Sequence, residues 1–187
     1  MKVLYIIILV IGITYSLNSQ VTLSLYFYDP CSDTIEDLHN YVLKKDSSIY
    51  YSEAQSNIVK LPDTGNYELS TIYYDESLPY SVTDPGIFMD TIRGKVVEFM
   101  YEPTSSPSRF GYYYCSKKCD GWIIDYYPGG KKRIEGSFKD GLPLGKLKIF
   151  YPSGQLKKVD KYSKRGKLKK RTLYTNQGEI SSKEKYR

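Results

Sequence analysis

The chain has 187 residues, 41% hydrophobic and 15% aromatic, enough to bury one or two small cores. Its net charge of +6 hides an asymmetry: residues 20–120 carry 8 Lys and Arg against 15 Asp and Glu, a net of −7, whereas residues 121–187 carry 18 against 6, a net of +12. Opposite signs read as two modules, and a four-ligand zinc site is not expected, since it would need all three cysteines together with His39, the only histidine.

Met1 and Lys2 precede an apolar run from Val3 to Ile13, followed by Thr14, Ser16 and Ser19. The run is too short to cross a hydrocarbon core of about 30 Å. A basic start, an apolar middle and small or polar residues after it fit a secretory signal peptide over residues 1–19, with the mature chain starting near Leu17 or Gln20. The first cysteine is Cys31, so none stands at lipoprotein spacing. The expectation is an exported protein, placed in the periplasm, at the cell surface or outside the cell.

Residues 20–102 read as a β domain. Val21 to Tyr28 alternates and is rich in β-branched and aromatic residues, a strand ended by Asp29-Pro30. Ile35 to Lys45 is open between helix and strand, although Val42, Leu43, Ile49, Tyr50 and Tyr51 favour strands around Asp46-Ser47-Ser48. Asn57 to Ser70 is a strand, a Pro62-Asp63-Thr64-Gly65 turn and a second strand, with Val59, Leu61, Tyr67 and Leu69 as core. Pro79 to Val82, Gly86 to Ile92 and Lys95 to Tyr101 are further strands. The segment from Ile58 to Ser70 resembles the signature of carboxypeptidase-regulatory-like or transthyretin-like sandwiches, although Glu53-Ala54-Gln55-Ser56 replaces their usual turn. That resemblance implies a small, non-catalytic β-sandwich.

Residues 103–109, rich in proline and serine, read as a linker, and Phe110 to Tyr114 as the first strand of a second module over 110–187. Cys115 and Cys119, which enclose three residues, suit a bridge closing a hairpin ahead of the repeats and leave Cys31 over; a Cys31 bridge to either is the open alternative.

From Gly121 onward one phrase returns every 24 residues: Asp125-Tyr126-Tyr127-Pro128-Gly129-Gly130, then Ile149-Phe150-Tyr151-Pro152-Ser153-Gly154, then the worn Leu173-Tyr174-Thr175-Asn176-Gln177-Gly178. Phe138, Tyr162 and Tyr186 fall in one column. Each unit, at about 121–144, 145–168 and 169–187, reads as a β-hairpin whose glycine takes positive φ. An isolated hairpin is marginal in water, so neighbours must continue one another as an antiparallel meander. The phrase, with Glu135-Gly136-Ser137-Phe138-Lys139-Asp140-Gly141 after it, resembles the bacterial variant of the MORN repeat, found in exported proteins labelled YwqK-like antitoxin. Asp160 and Arg165 depart from it where the first copy has Gly136 and Gly141. The resemblance implies a scaffold without a catalytic residue, or an antitoxin-like component.

No catalytic arrangement stands out. His39 lacks a motif-bound nucleophile, and Glu36-Asp37 and Asp75-Glu76 are adjacent pairs that point to opposite faces of a strand. The fold class expected is all-β, a small sandwich followed by a hairpin-repeat sheet. The function expected is non-enzymatic binding, without cofactor or metal. A protein partner would dock on Trp122, Tyr126, Phe150 and Tyr174. The alternative is an anionic envelope polymer or membrane surface gripped by Lys157, Lys158, Lys169 and Lys170, with Arg133 and Lys157 stacking across hairpins. Export argues against nucleic acid.

Overall fold

The computed structural model describes residues 20–102 and 109–187; the signal-peptide reading and residues 103–108 of the linker lie outside them. The first eight strands are β1 (Val21–Asp29), β2 (Thr34–Asp37), β3 (Val42–Lys45), β4 (Ser48–Tyr51), β5 (Ile58–Leu61), β6 (Gly65–Ser70), β7 (Leu78–Val82) and β8 (Gly86–Arg93). They make two sheets. In one, β1 lies antiparallel to β2 and β5 and parallel to β8; in the other the order is β4-β3-β6-β7. Alternation in β1 sends Val21, Leu23, Leu25 and Phe27 inward. There they share one core with Leu43, Tyr67, Leu69, Leu78 and Val82 of the second sheet. The region between helix and strand resolves as β2 and β3, and the described residues contain no helix.

Val59, Leu61, Tyr67 and Leu69 are core, as the pattern predicts. The turn between them joins two sheets, because β5 pairs β1 while β6 pairs β3. The corner is pinned by Tyr67, whose hydroxyl donates to the Asp63 carbonyl and to Asp63 Oδ1, both at 2.8 Å, and by Lys45 Nζ, 2.9 Å from Asp63 Oδ2.

A third sheet is formed by β9 (Val97–Glu102), β10 (Arg109–Tyr114) and β11 (Lys117–Lys118). The expected first strand of the repeat sheet, Phe110 to Tyr114, is therefore placed elsewhere: among the described residues β10 pairs β9 and β11. Its one-sided run of Phe110, Tyr112 and Tyr114 lies opposite Tyr101, Phe99 and Val97. Phe99 and Phe110 stack with centroids 5.2 Å apart, and Tyr112 and Tyr101 tilt against them.

The fourth sheet is β12 (Gly121–Tyr126), β13 (Lys132–Lys139), β14 (Leu142–Phe150), β15 (Leu156–Tyr162), β16 (Leu168–Tyr174) and β17 (Ile180–Lys185), antiparallel and paired in chain order. The 24-residue period has a direct physical counterpart. After β12, β14 and β16 the chain turns through the same loop, with Gly130, Gly154 and Gly178 at φ of 75°, 89° and 88°. Tyr127 donates its hydroxyl to the Phe150 carbonyl at 2.9 Å, and Tyr151 donates to that of Tyr174 at 2.8 Å, so each repeat tyrosine ties its hairpin to the next. The third sheet covers the start of this one: Val97, Tyr112 and Cys119 pack with Ile134, Phe138 and Leu147 in a second core. A Cβ at Gly136 would sit 2.9 Å from Leu147 Cδ1, so a larger residue there would force Leu147 to shift.

The disulfide joins Cys31 to Cys115, which corrects the expected Cys115–Cys119 bridge. The hairpin between β10 and β11 is tighter than expected. Cys115 and Ser116, at φ of 45° and 63°, form a two-residue loop, and Cys119 donates its N–H to the Tyr112 carbonyl three positions further along. Three positions on a strand span about 10 Å, beyond the roughly 7 Å reach of bridged Cα atoms. Cys119 is instead buried in the second core, where desolvation pushes its thiol up to about 11. Cys31, in the turn after β1, thus clamps the third sheet to the N-terminal body.

Candidate functional site

The inner face of the repeat sheet closes one side of a cleft of about 650 Å³. Asp75 and Glu76 stand on another side, and Val97, Phe99 and Met100 of β9 on a third. Its lining includes charged side chains and rings. Asp160, 1% exposed, receives Arg171 Nε and Nη2 at 2.8 Å each, with Lys158 Nζ at 3.7 Å and the Tyr162 hydroxyl at 3.4 Å. Asp125, fully buried, is held by Arg133 Nε at 2.7 Å, and the same guanidinium donates to the Val97 carbonyl. Lys157 pairs with Glu76 of the N-terminal body.

The electrostatics follow from burial. Desolvation lowers the Lys158 pKa, although Asp160 opposes the shift. The hydrogen bonds to Asp160 raise the already high Arg171 value. Burial pushes Tyr112 up to about 12 and raises Tyr162 further. At neutral pH the cleft therefore offers neutral phenols between internally compensated charges. Such a wall can hold a ligand by stacking and hydrogen bonds.

The outer face of the same sheet is different. On β12, Asp125 and Ile123 turn inward, so Trp122 and Tyr126 turn out; on β14 and β16, Ile149 and Leu173 line the cleft, so Phe150 and Tyr174 turn out. Trp122 is 60% exposed and Tyr126 is exposed, while Phe150 and Tyr174 are half-buried. The four aromatic candidates thus share one face.

The four basic candidates do not, and this is a correction. Lys157 and Lys158 enter the cleft, each against a carboxylate, because a register shift between Ile149 and Phe150 places one extra residue there. Lys170 is on the outer face and Lys169, also exposed, sits at the register shift opposite Lys161 and Tyr162. Arg133 and Lys157 do not stack, since β14 runs between their strands. His39 is exposed.

Sequence reasoning missed the Asp160–Arg171 and Asp125–Arg133 pairs. For the first there was a signal: Asp160 occupies the column of Gly136, which packs against the second core, and a charge in such a position needs a partner. For the second there was none beyond proximity. Neither a family model, nor a curated protein, nor a solved structure matches the chain. No cluster of His, Cys, Asp and Glu among the described residues is arranged to hold a metal.

Proposed function

We propose that this is an exported, non-enzymatic binding protein whose four small sheets replace the expected sandwich and single repeat sheet, with a MORN-like repeat module that holds a protein partner on the outer face of the six-stranded sheet. The observation that carries it is the placement of Trp122, Tyr126, Phe150 and Tyr174 on one face, with Trp122 and Tyr126 exposed. Large aromatics dominate interface energetics, so an uncovered set of them favours a protein partner. The disulfide accords with an oxidising compartment. The N-terminal body, sharing one core between two sheets, supplies a rigid mount for the module.

The test is retention of envelope proteins on the immobilised mature chain at low and high salt. A partner that survives high salt, and is lost when Trp122, Tyr126, Phe150 and Tyr174 are all changed to Ala, supports the reading. Retention unaffected by those four changes overturns it.

A further inference from the structure

The strand register aligns four lysines across four consecutive strands. Lys146 of β14 lies opposite Lys161 of β15, Lys161 opposite Lys170 of β16, and Lys170 opposite Lys185 of β17. All four are exposed. Lys146 alternates with buried Leu147 and Lys170 with the cleft residue Arg171, so the row lies on the outer face. Strands stand about 4.8 Å apart, which spreads four ammonium groups along a line of about 14 Å.

Like charges directly opposite one another destabilise a sheet, and this spacing is inside the screening length of about 8 Å at physiological salt. Among the described residues no carboxylate pairs with any of the four. Blocking of edge pairing accounts for Lys185 alone, because β17 is the edge strand and the other three are interior. Nor does the repeat itself explain them. The row is two 24-residue columns, Lys146 with Lys170 and Lys161 with Lys185, and the first copy has Trp122 and Ser137 at those positions. Exposed Lys164, Arg165 and Lys167 extend the charge into the loop that joins β15 to β16.

We infer that this row is a track for a linear anionic polysaccharide, whose carboxylates or sulfates supply the counter-charge that the chain omits. The row holds no aromatic on which a base would stack, which disfavours single-stranded nucleic acid. The next row on the same face is Lys148, Val159, Thr172 and Lys183, in which Lys148 is paired with Glu135 and the middle two are uncharged, so the unpaired charge stays narrow and fits a chain better than a bilayer, which rewards a broad patch. The inference does not rest on the aromatic surface.

Binding of the full mature chain is measured with two linear probes, heparin and polygalacturonate, and with a single-stranded oligonucleotide and phosphatidylserine vesicles. Two variants remove equal charge: Lys146, Lys161, Lys170 and Lys185 to Gln, and the exposed Lys44, Lys60, Lys117 and Lys131 to Gln. The row variant should bind a polysaccharide at least tenfold more weakly, and its slope of log affinity against log salt should fall by about three to four. The second variant should lose less than threefold. Equal loss in both variants, tighter binding of oligonucleotide or vesicles, or no polysaccharide binding by the wild type overturns the inference. Circular dichroism of the row variant separates loss of the track from loss of the fold.

Discussion

The two halves of the six-stranded sheet carry the same repeat and do different things with it. The inner face of β12–β14 is roofed by β9–β11; the roof thins over β15, where Tyr162 packs against the same core, and that core takes no described residue from β16 or β17. The aromatic column shows the consequence: Phe138 is 2% exposed, Tyr162 is half-buried and Tyr186 is 37% exposed. In the neighbouring column Gly136 lets Leu147 approach, Asp160 gathers Arg171 and Lys158, and Glu184 is exposed. The repeat therefore encodes a hairpin and its loop, while the cover decides whether an inward position becomes core, ion cluster or surface.

Substitution along the aromatic column is the sharpest way to break this contrast. Phe138→Ala should destabilise by about 4 kcal/mol, the usual loss for a fully packed ring. Tyr162→Ala should fall well short of that, and Tyr186→Ala should leave the urea midpoint unchanged. Three similar midpoint shifts would show that the roof is irrelevant to the sheet's stability.

The two aspartate–arginine pairs offer a second comparison. Asp125 is fully buried under the roof, so Asp125→Ala strands a nearly enclosed guanidinium and should destabilise by about 3 kcal/mol. Asp160→Ala leaves Arg171 and Lys158, both with partial access to water, and should destabilise by about 1 kcal/mol. Denaturant unfolding of both variants measures the difference, and a larger effect at Asp160 would reverse the assignment of the halves.

Replacing Cys31 and Cys115 by Ser loosens the roof itself. The bridge closes a loop across 84 positions, and its loss should destabilise by about 2–3 kcal/mol. Amide exchange should rise in β9–β11 and in β12–β14 and stay constant in β16 and β17. Uniform acceleration across the sheet would mean that the six strands open as one unit.

What could be read from the chain was local. The Tyr-Pro-x-Gly loops, the alternation of β1 and the pair Val59 and Leu61 are visible because turn residues and period-two patterns act over a few positions. Long-range partners left no such mark. Nothing near Phe110 to Tyr114 says that it pairs β9 and not β12, and no spacing joins Cys31 to Cys115. The lysine row was visible in principle, since its columns keep the 24-residue period. Seeing it requires the cross-strand register, which the differing turn lengths after β13 and β15 set.

The smallest expected effect concerns the repeat glycines. Gly130, Gly154 and Gly178 have nearly the same positive φ, so valine at each meets the same backbone penalty of about 1–2 kcal/mol. Local space differs little: a Cβ at Gly154 would lie 3.2 Å from Lys131 Cδ, a flexible chain that can give way, and at the other two it meets nothing. If the sheet unfolded as one unit, the three variants would melt alike. The loop at Gly178, however, joins β16 to the unroofed edge strand β17, where opening exposes little apolar surface. Strain there should be relieved by fraying of that hairpin, with faster amide exchange in β17 and a change in global melting well below that of the other two. Equal melting shifts at all three glycines would show that the bare half is as cooperative as the covered one.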